Sequence, residues 1–227
     1  MPKVTSVEPQ VKNPHRFNIF LDGEFAFGAD EDLIVEYRLL PGKIIDTPLL
    51  EKLLFEAEVG KLMEKMYRLF SIRQRSEREV RSYLRVKSQE SRVKGKGEIS
   101  GLVTELLIDK LKQKGLINDL EFAKAWIEAR RRSRQKSDRL IKLELQQKGV
   151  AREIIEEAFS PPAGEAGYQP SAISQEQLAL QALEKRITRW EKLPMMEFKK
   201  KAYQYLGSKG FNYEIISSVI EKILQKR

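Results

Sequence analysis

The sequence predicts a mainly α chain: three tandem three-helix repeats in an extended arc, behind a small N-terminal β-hairpin element. Three observations carry that reading. Leu145, Lys148, Gly149, Glu153, Ile154 and Ile155 return as Leu206, Lys209, Gly210, Glu214, Ile215 and Ile216, six identities in a fifteen-residue window at an offset of 61. The same offset carried back from Leu145 reaches Leu84, with Lys87 under Lys148 and Ser76 under Ser137, which makes a third and more diverged copy. Finally, apolar residues recur at helical spacing from residue 47 almost to the end, while only residues 3–28 carry strand signals.

The strand signals are Val4 and Val7, then Phe17 to Leu21, then Glu24 to Phe27. Asp22-Gly23 joins the last two, and a two-residue Asp-Gly loop favours a type I′ hairpin because both positions need positive φ. That register sets Phe20 opposite Phe25. Asp30, Glu31 and Asp32 open a short helix over Leu33 to Leu39, where acidic residues complement the helix dipole; a carboxylate metal site is the sharper reading and lacks a further ligand nearby. Pro41-Gly42 stops this helix. These elements make up a first domain, residues 1–46.

A first helical repeat is expected over residues 47–117. Thr47-Pro48 reads as N-cap and first helical position before Leu49, Leu50, Leu53, Leu54 and Ala57. Ser76 and Glu79 form a capping box before Val80, Tyr83 and Leu84. A Lys-, Gly- and Ser-rich run, 88–100, reads as an unpacked insertion before a helix with Leu102, Leu106, Leu107 and Leu111. Lys114-Gly115 closes that helix.

The second repeat, 118–159, starts on the capping box Asn118 to Glu121, continues through Phe122, Trp126 and Ile127, and is recapped at Ser137. Residues 160–176, with three prolines and two glycines, read as a linker. The third repeat, 177–227, contains Trp190, a break at Pro194, and a last helix from Tyr213 to Leu224. Each repeat reads as a long helix, a capped middle helix and a third helix. Both tryptophans lie on apolar stripes, which assigns them to core packing.

The chain of 227 residues carries 42 Lys and Arg against 33 Asp and Glu, a net charge of +9. That balance points to a polyanionic partner. The positive charge clusters at the junction between first and middle helix of each repeat. These clusters are Arg73, Arg75, Arg78 and Arg81, with Arg68 ahead of them; Arg130, Arg131, Arg132, Arg134, Lys136 and Arg139; and Lys199, Lys200 and Lys201. The helix dipole favours cations at a helix C-terminus without requiring so many, so these residues are the candidate nucleic-acid or filament-binding set.

Cysteine is absent, which excludes disulfides and thiolate metal sites. No apolar run approaches a membrane span and no signal peptide follows Met1, so a cytoplasmic protein without membrane contact is expected. Gly95-Lys96-Gly97 lacks phosphate-loop spacing, and His15 is the only histidine, so neither ATP hydrolysis nor a histidine-based triad finds support. The expectation is a protein with no catalytic residues, no metal and no cofactor.

At these residues the chain resembles a known family. Gly115 to Asp119 followed by Phe122 and Ala123, the box from Ser76 through Val80, Tyr83 and Leu84, and the run from Leu145 to Ile155 are similar to RecX-type regulators of the RecA recombinase. The hairpin Leu21 to Phe25 resembles an N-terminal extension found in part of that family. The resemblance implies a non-enzymatic monomer that lies in the groove of the RecA filament on single-stranded DNA, with duplex DNA as a second form. Such a protein limits filament extension, RecA ATPase, strand exchange and co-protease activity. The insertion and the Pro-rich linker depart from the compact family pattern. A helix-turn-helix-like DNA-binding protein acting without RecA is the rival reading, against which three repeats without a single recognition helix argue.

Overall fold

The computed structural model describes residues 1–11, 13–93, 98–160, 174–190 and 192–225. It is mostly helical with one small antiparallel sheet, and it falls into two compact units: Met1–Arg75 with Val80–Ile117, and Ser76–Glu79 with Asn118–Arg227.

In the first unit β1 (Val4–Gln10), β2 (Asn13–Leu21) and β3 (Glu24–Asp30) form a meander in the order β1-β2-β3. Asp22 and Gly23 take φ of 49° and 89°, the twist-matched hairpin turn. Phe20 faces Phe25 edge-on, with ring centroids 6.0 Å apart. Asp30 caps α1 (Glu31–Tyr37), its carboxylate accepting from Leu33 N–H at 2.9 Å. That satisfies an orphan helix donor and explains this carboxylate without a metal. The sheet buries Val4, Ile19, Leu21, Phe27 and Ala29 against Leu33, Leu39, Ile45, Leu53 and Ala57.

The long helix α2 (Thr47–Ile72) serves two cores. Leu53 and Ala57 close the core under the sheet, while Val59, Leu62, Met63 and Met66 pack with α3 (Glu77–Val93) and α4 (Gly101–Gln113). Its N-cap is Asp46, which accepts from Leu49 N–H at 2.9 Å, so Thr47 and Pro48 are its first two helical residues and the expected cap is displaced by one. The polar run expected as unpacked from residue 88 differs as well. The helix continues to Val93, and Ser88 is buried and accepts from Ile99 N–H at 3.0 Å. Lys87 therefore lies inside a helix, while residues 94–97 of that run fall outside the described residues. Ser100 caps α4.

In the second unit α5 (Asp119–Arg134), α6 (Asp138–Gln147) and α7 (Arg152–Phe159) enclose a core of Phe122, Ala123, Ile127, Ile141, Leu145, Val150 and Ile155. The corresponding helices α8 (Gln175–Trp190), α9 (Met195–Ser208) and α10 (Tyr213–Gln225) enclose a larger one around Leu183, Phe198 and Leu206. The expected linker lies outside the described residues over 161–173. The middle helix of the third set lacks the expected side-chain cap, because Pro194 stands at its N-cap.

The recurring Lys-Gly pair does more than stop helices. Lys148 and Lys209 are C-caps, and Gly149 and Gly210 follow with φ of 80° and 88°. Within the second unit each lysine carbonyl also meets a buried serine cap: Ser76 Oγ donates to Lys148 O at 2.7 Å, and Ser137 N–H donates to Lys209 O at 3.0 Å. The first helical N–H beside each serine is taken by a side chain, Glu77 N–H by Asp119 at 2.9 Å and Asp138 N–H by Gln175 at 3.0 Å. The 61-residue period thus repeats a contact as well as a chain trace.

Candidate nucleic-acid interface

The basic run of the middle repeat begins in the last turn of α5, where Arg131, Arg132 and Arg134 face the negative end of the helix dipole. Gln135 then turns the chain with φ of 42°, its side chain donating to Arg132 O at 2.9 Å, and Ser137 caps α6. This short connection holds the run between two helix ends.

The six cations divide into two groups. Arg130 Nε donates to Glu144 Oε2 at 2.7 Å, Lys136 pairs with Glu144 Oε1, and Trp126 Nε1 donates to the same carboxylate at 2.9 Å. Burial pushes the Glu144 carboxyl up, but hydrogen bonds from Lys136, Arg130 and Trp126 outweigh it and hold the group down at about 2. Arg131 reaches Asp138 at 2.9 Å and lies over the Phe159 ring at 5.4 Å. These three cations are already engaged inside the protein. Arg132, Arg134 and Arg139 are exposed; among the described residues Arg132 has only a 3.7 Å contact with Glu128, its own neighbour one turn back. A screened surface pair of that kind costs about 0–1 kcal/mol to break, so this trio is available to an external anion.

The candidates elsewhere are more mixed. Arg81 makes a two-pronged pair with Glu105 at 2.5 and 2.8 Å, and that guanidinium holds the Glu105 carboxyl below its ordinary value. Arg73 is exposed and donates to Gln74 O at 2.8 Å, Arg75 is half-buried, and Arg78 is exposed with its stem against Gly149. Lys200 and Lys201 are exposed on α9, and Lys199 is half-buried.

Sequence reasoning missed Glu144 as the hub of the middle junction. The available signal was a glutamate beside the buried Leu145, one turn from Lys148. Trp126 and Trp190 are half-buried and pack on the edges of their cores, as expected, yet the indole N–H of Trp126 is spent on Glu144. His15 is exposed beside Glu31 at 3.4 Å. Among the described residues no cluster of His, Cys, Asp or Glu is placed to hold a metal, and no helix is long and apolar enough to cross a membrane.

Comparison with known proteins gives the same architecture a lineage. Residues 2–46 match the family model for the regulatory protein RecX N-terminal domain, residues 118–158 the second three-helix domain of RecX, and residues 174–220 the third. The regulatory protein RecX of Bacillus subtilis (strain 168) is 31% identical over 223 residues, covering 98% of this chain and 78% of the relative. The chain belongs to the RecX family. A crystal structure of a regulatory protein RecX superposes with a TM-score of 0.70 at 24% identity, covering 97% of this chain and 100% of that one. A RecX from Lactobacillus salivarius gives 0.51 at 23% identity, over 72% of this chain and 95% of that one. These two likenesses concern the fold, and the family models name a second and a third three-helix domain in this chain.

Proposed function

We propose that the chain is a non-enzymatic regulator of RecA that binds the RecA filament on single-stranded DNA, in its groove. It limits filament extension and with it the ATPase, strand exchange and co-protease activities of RecA. Membership of the RecX family is the observation that carries this reading. The exposed trio Arg132, Arg134 and Arg139 supports a phosphate contact in the middle repeat, because guanidinium groups with no strong partner among the described residues are the ones able to release counterions from a nucleic acid.

The test is RecA's DNA-dependent ATP hydrolysis, measured with the wild-type protein and with the variant Arg132→Glu, Arg134→Glu, Arg139→Glu. Wild type lowers the rate, and the variant requires a higher concentration to do so. Its affinity for single-stranded DNA falls less steeply with log salt, by about 0.7 for each phosphate that is no longer neutralised. Wild-type protein that leaves RecA hydrolysis untouched while binding DNA would favour a DNA-binding role without RecA. A variant that inhibits at wild-type concentrations would remove the trio from the interface.

A further inference from the structure

The middle helices of the three repeats share a recurring pair of positions, and only the third repeat fills the second of them with an aromatic ring. Steps of 61 residues carry Arg78 to Arg139 and Lys200, and all three are exposed cations. Three residues further on stand Arg81, Lys142 and Tyr203, each of which reaches the third helix of its own repeat. Arg81 pairs with Glu105 on α4, and Lys142 pairs with Glu156 on α7. In the third repeat Ser217 stands where the same step puts Glu156, and the Tyr203 hydroxyl shares a hydrogen bond with its Oγ at 2.7 Å. A charged tie between helices has become a neutral one.

A second ring accompanies that exchange. Tyr213, the first residue of α10, stands where the step of 61 puts Arg152, and it stacks on Tyr203 with ring centroids 5.5 Å apart and planes inclined at 27°. Tyr213 is 72% exposed, so the stack fixes the ring while leaving its other face to solvent. A ring already held in place loses little freedom when a flat partner covers it. Lys199 and Lys200 precede Tyr203 by four and three residues and share its side of α9, and Met196, 79% exposed, extends the same stripe by a turn. Glu197 stands four residues before Lys201, on the other flank of Lys200. On α10 the exposed Glu214 and Glu221 lie beyond the ring, so a polyanion passing this repeat is drawn to the lysines of α9 and kept off α10.

We infer that Tyr213 is a stacking platform for one unpaired nucleobase of a single strand whose phosphates lie along Lys199 and Lys200, and that this stack makes the chain prefer a single strand to a duplex. The inference rests on single-stranded DNA being a partner, as proposed above, and adds to the phosphate contacts of the middle repeat a contact of another kind. Bases in a duplex are covered by their own neighbours, whereas each base of a single strand can offer a π-face to an aromatic ring whatever its sequence. A peptide carboxylate would satisfy the lysines and leave the ring uncovered, while a nucleotide carries an anion and a flat face in one unit.

The experiment uses the full chain and fluorescein-labelled oligothymidylate, followed by anisotropy beside a duplex and an abasic oligomer of the same length. Tyr213→Ala weakens binding of oligothymidylate by about tenfold, leaves duplex binding within about twofold, and keeps the salt slope, because stacking releases no counterions. Tyr213→Phe binds as wild type does, since the ring and not the hydroxyl makes the contact. On the abasic oligomer wild type and Tyr213→Ala bind alike. Lys200→Glu instead weakens all three ligands and lowers the slope for a single strand by about 0.7 for the phosphate it no longer neutralises. Tyr213→Ala that leaves oligothymidylate binding unchanged, or weakens the duplex or the abasic oligomer as much, overturns the inference. Oligoglutamate bound as tightly as oligothymidylate, with Tyr213→Ala weakening both, overturns it as well and makes the ring a protein contact. In these cases the DNA reading stands if the Arg132, Arg134 and Arg139 variant still binds more weakly; wild type that binds no single strand overturns both.

Discussion

Among single residues, Glu144 and Gly210 show how much one position in a repeat can carry. Glu144 is held at about 2 by three donors, so it contributes stability that is fully present above the ordinary carboxylate range and is lost as pH falls through about 2. A depression from roughly 4.3 corresponds to about 3 kcal/mol. Glu144→Gln should therefore lose most of the wild-type decline in stability between pH of about 4.5 and 2 in urea titrations. An equal decline in both proteins would mean that other carboxylates govern acid unfolding. Gly210 has φ of 88°, and a Cβ there would lie 2.5 Å from Ser137 Oγ and 2.8 Å from Leu140 Cβ. Gly115 has φ of 68° with nothing within 4 Å. Gly115→Ala should cost about 1 kcal/mol, the left-handed penalty alone, and Gly210→Ala about 3 kcal/mol or more, since the packed neighbours must also move. Equal losses in denaturant midpoints would show that close approach adds nothing.

Elements differ between repeats for reasons that caps and partners explain. The middle helix α6 starts directly after Ser137, whereas α9 starts at Met195, one turn earlier relative to its Lys-Gly stop, because Phe198 stands where the offset of 61 would put the serine. Phe198 is fully buried in the third core, so the serine position has become a packing position. At the other end of the chain, α2 begins one residue earlier than the Thr-Pro signal suggests. Asp46→Ala should cost about 1 kcal/mol in thermal unfolding and Thr47→Ala within about 0.5 kcal/mol, because only Asp46 accepts from the helix N-terminus. The reverse order would return the cap to Thr47.

Among the described residues the buried apolar side chains form four clusters, one under the sheet and one in each three-helix repeat. This is what a chain of small modules requires, since each module must bury its own helix faces. The net charge of +9 is not spread the same way: residues 1–46 carry more acidic than basic residues, and the basic excess is 6 in residues 47–117, 2 in 118–159 and 6 in 177–227. Nor is it uniformly available. Arg81, Arg130, Arg131 and Lys136 are committed to Glu105, Glu144 and Asp138, so counting basic residues overstates the number of phosphates the chain can neutralise. The salt slope of DNA binding should therefore follow the exposed arginines, which is why the triple variant leaves Arg131 in place: removing it would strand Asp138.

Legible in the residues alone were the repeat, the helical content, the Asp-Gly hairpin with its Phe20–Phe25 pair, and the serine and asparagine caps. All of these are local: a turn needs positive φ within two residues, and a cap reaches three residues ahead. The basic junctions were legible too, because charge density is a property of composition. Which cations are spent was settled by helix packing. Glu144 lies 14 residues from Arg130 and 18 from Trp126, and nothing short of the α5–α6 packing brings them to one carboxylate. The same holds for the serine caps, whose contacts with Lys148 and Lys209 span 72 residues in each case. Contacts at such separations depend on how helices pack, and helical periodicity specifies which face is buried without specifying what it meets.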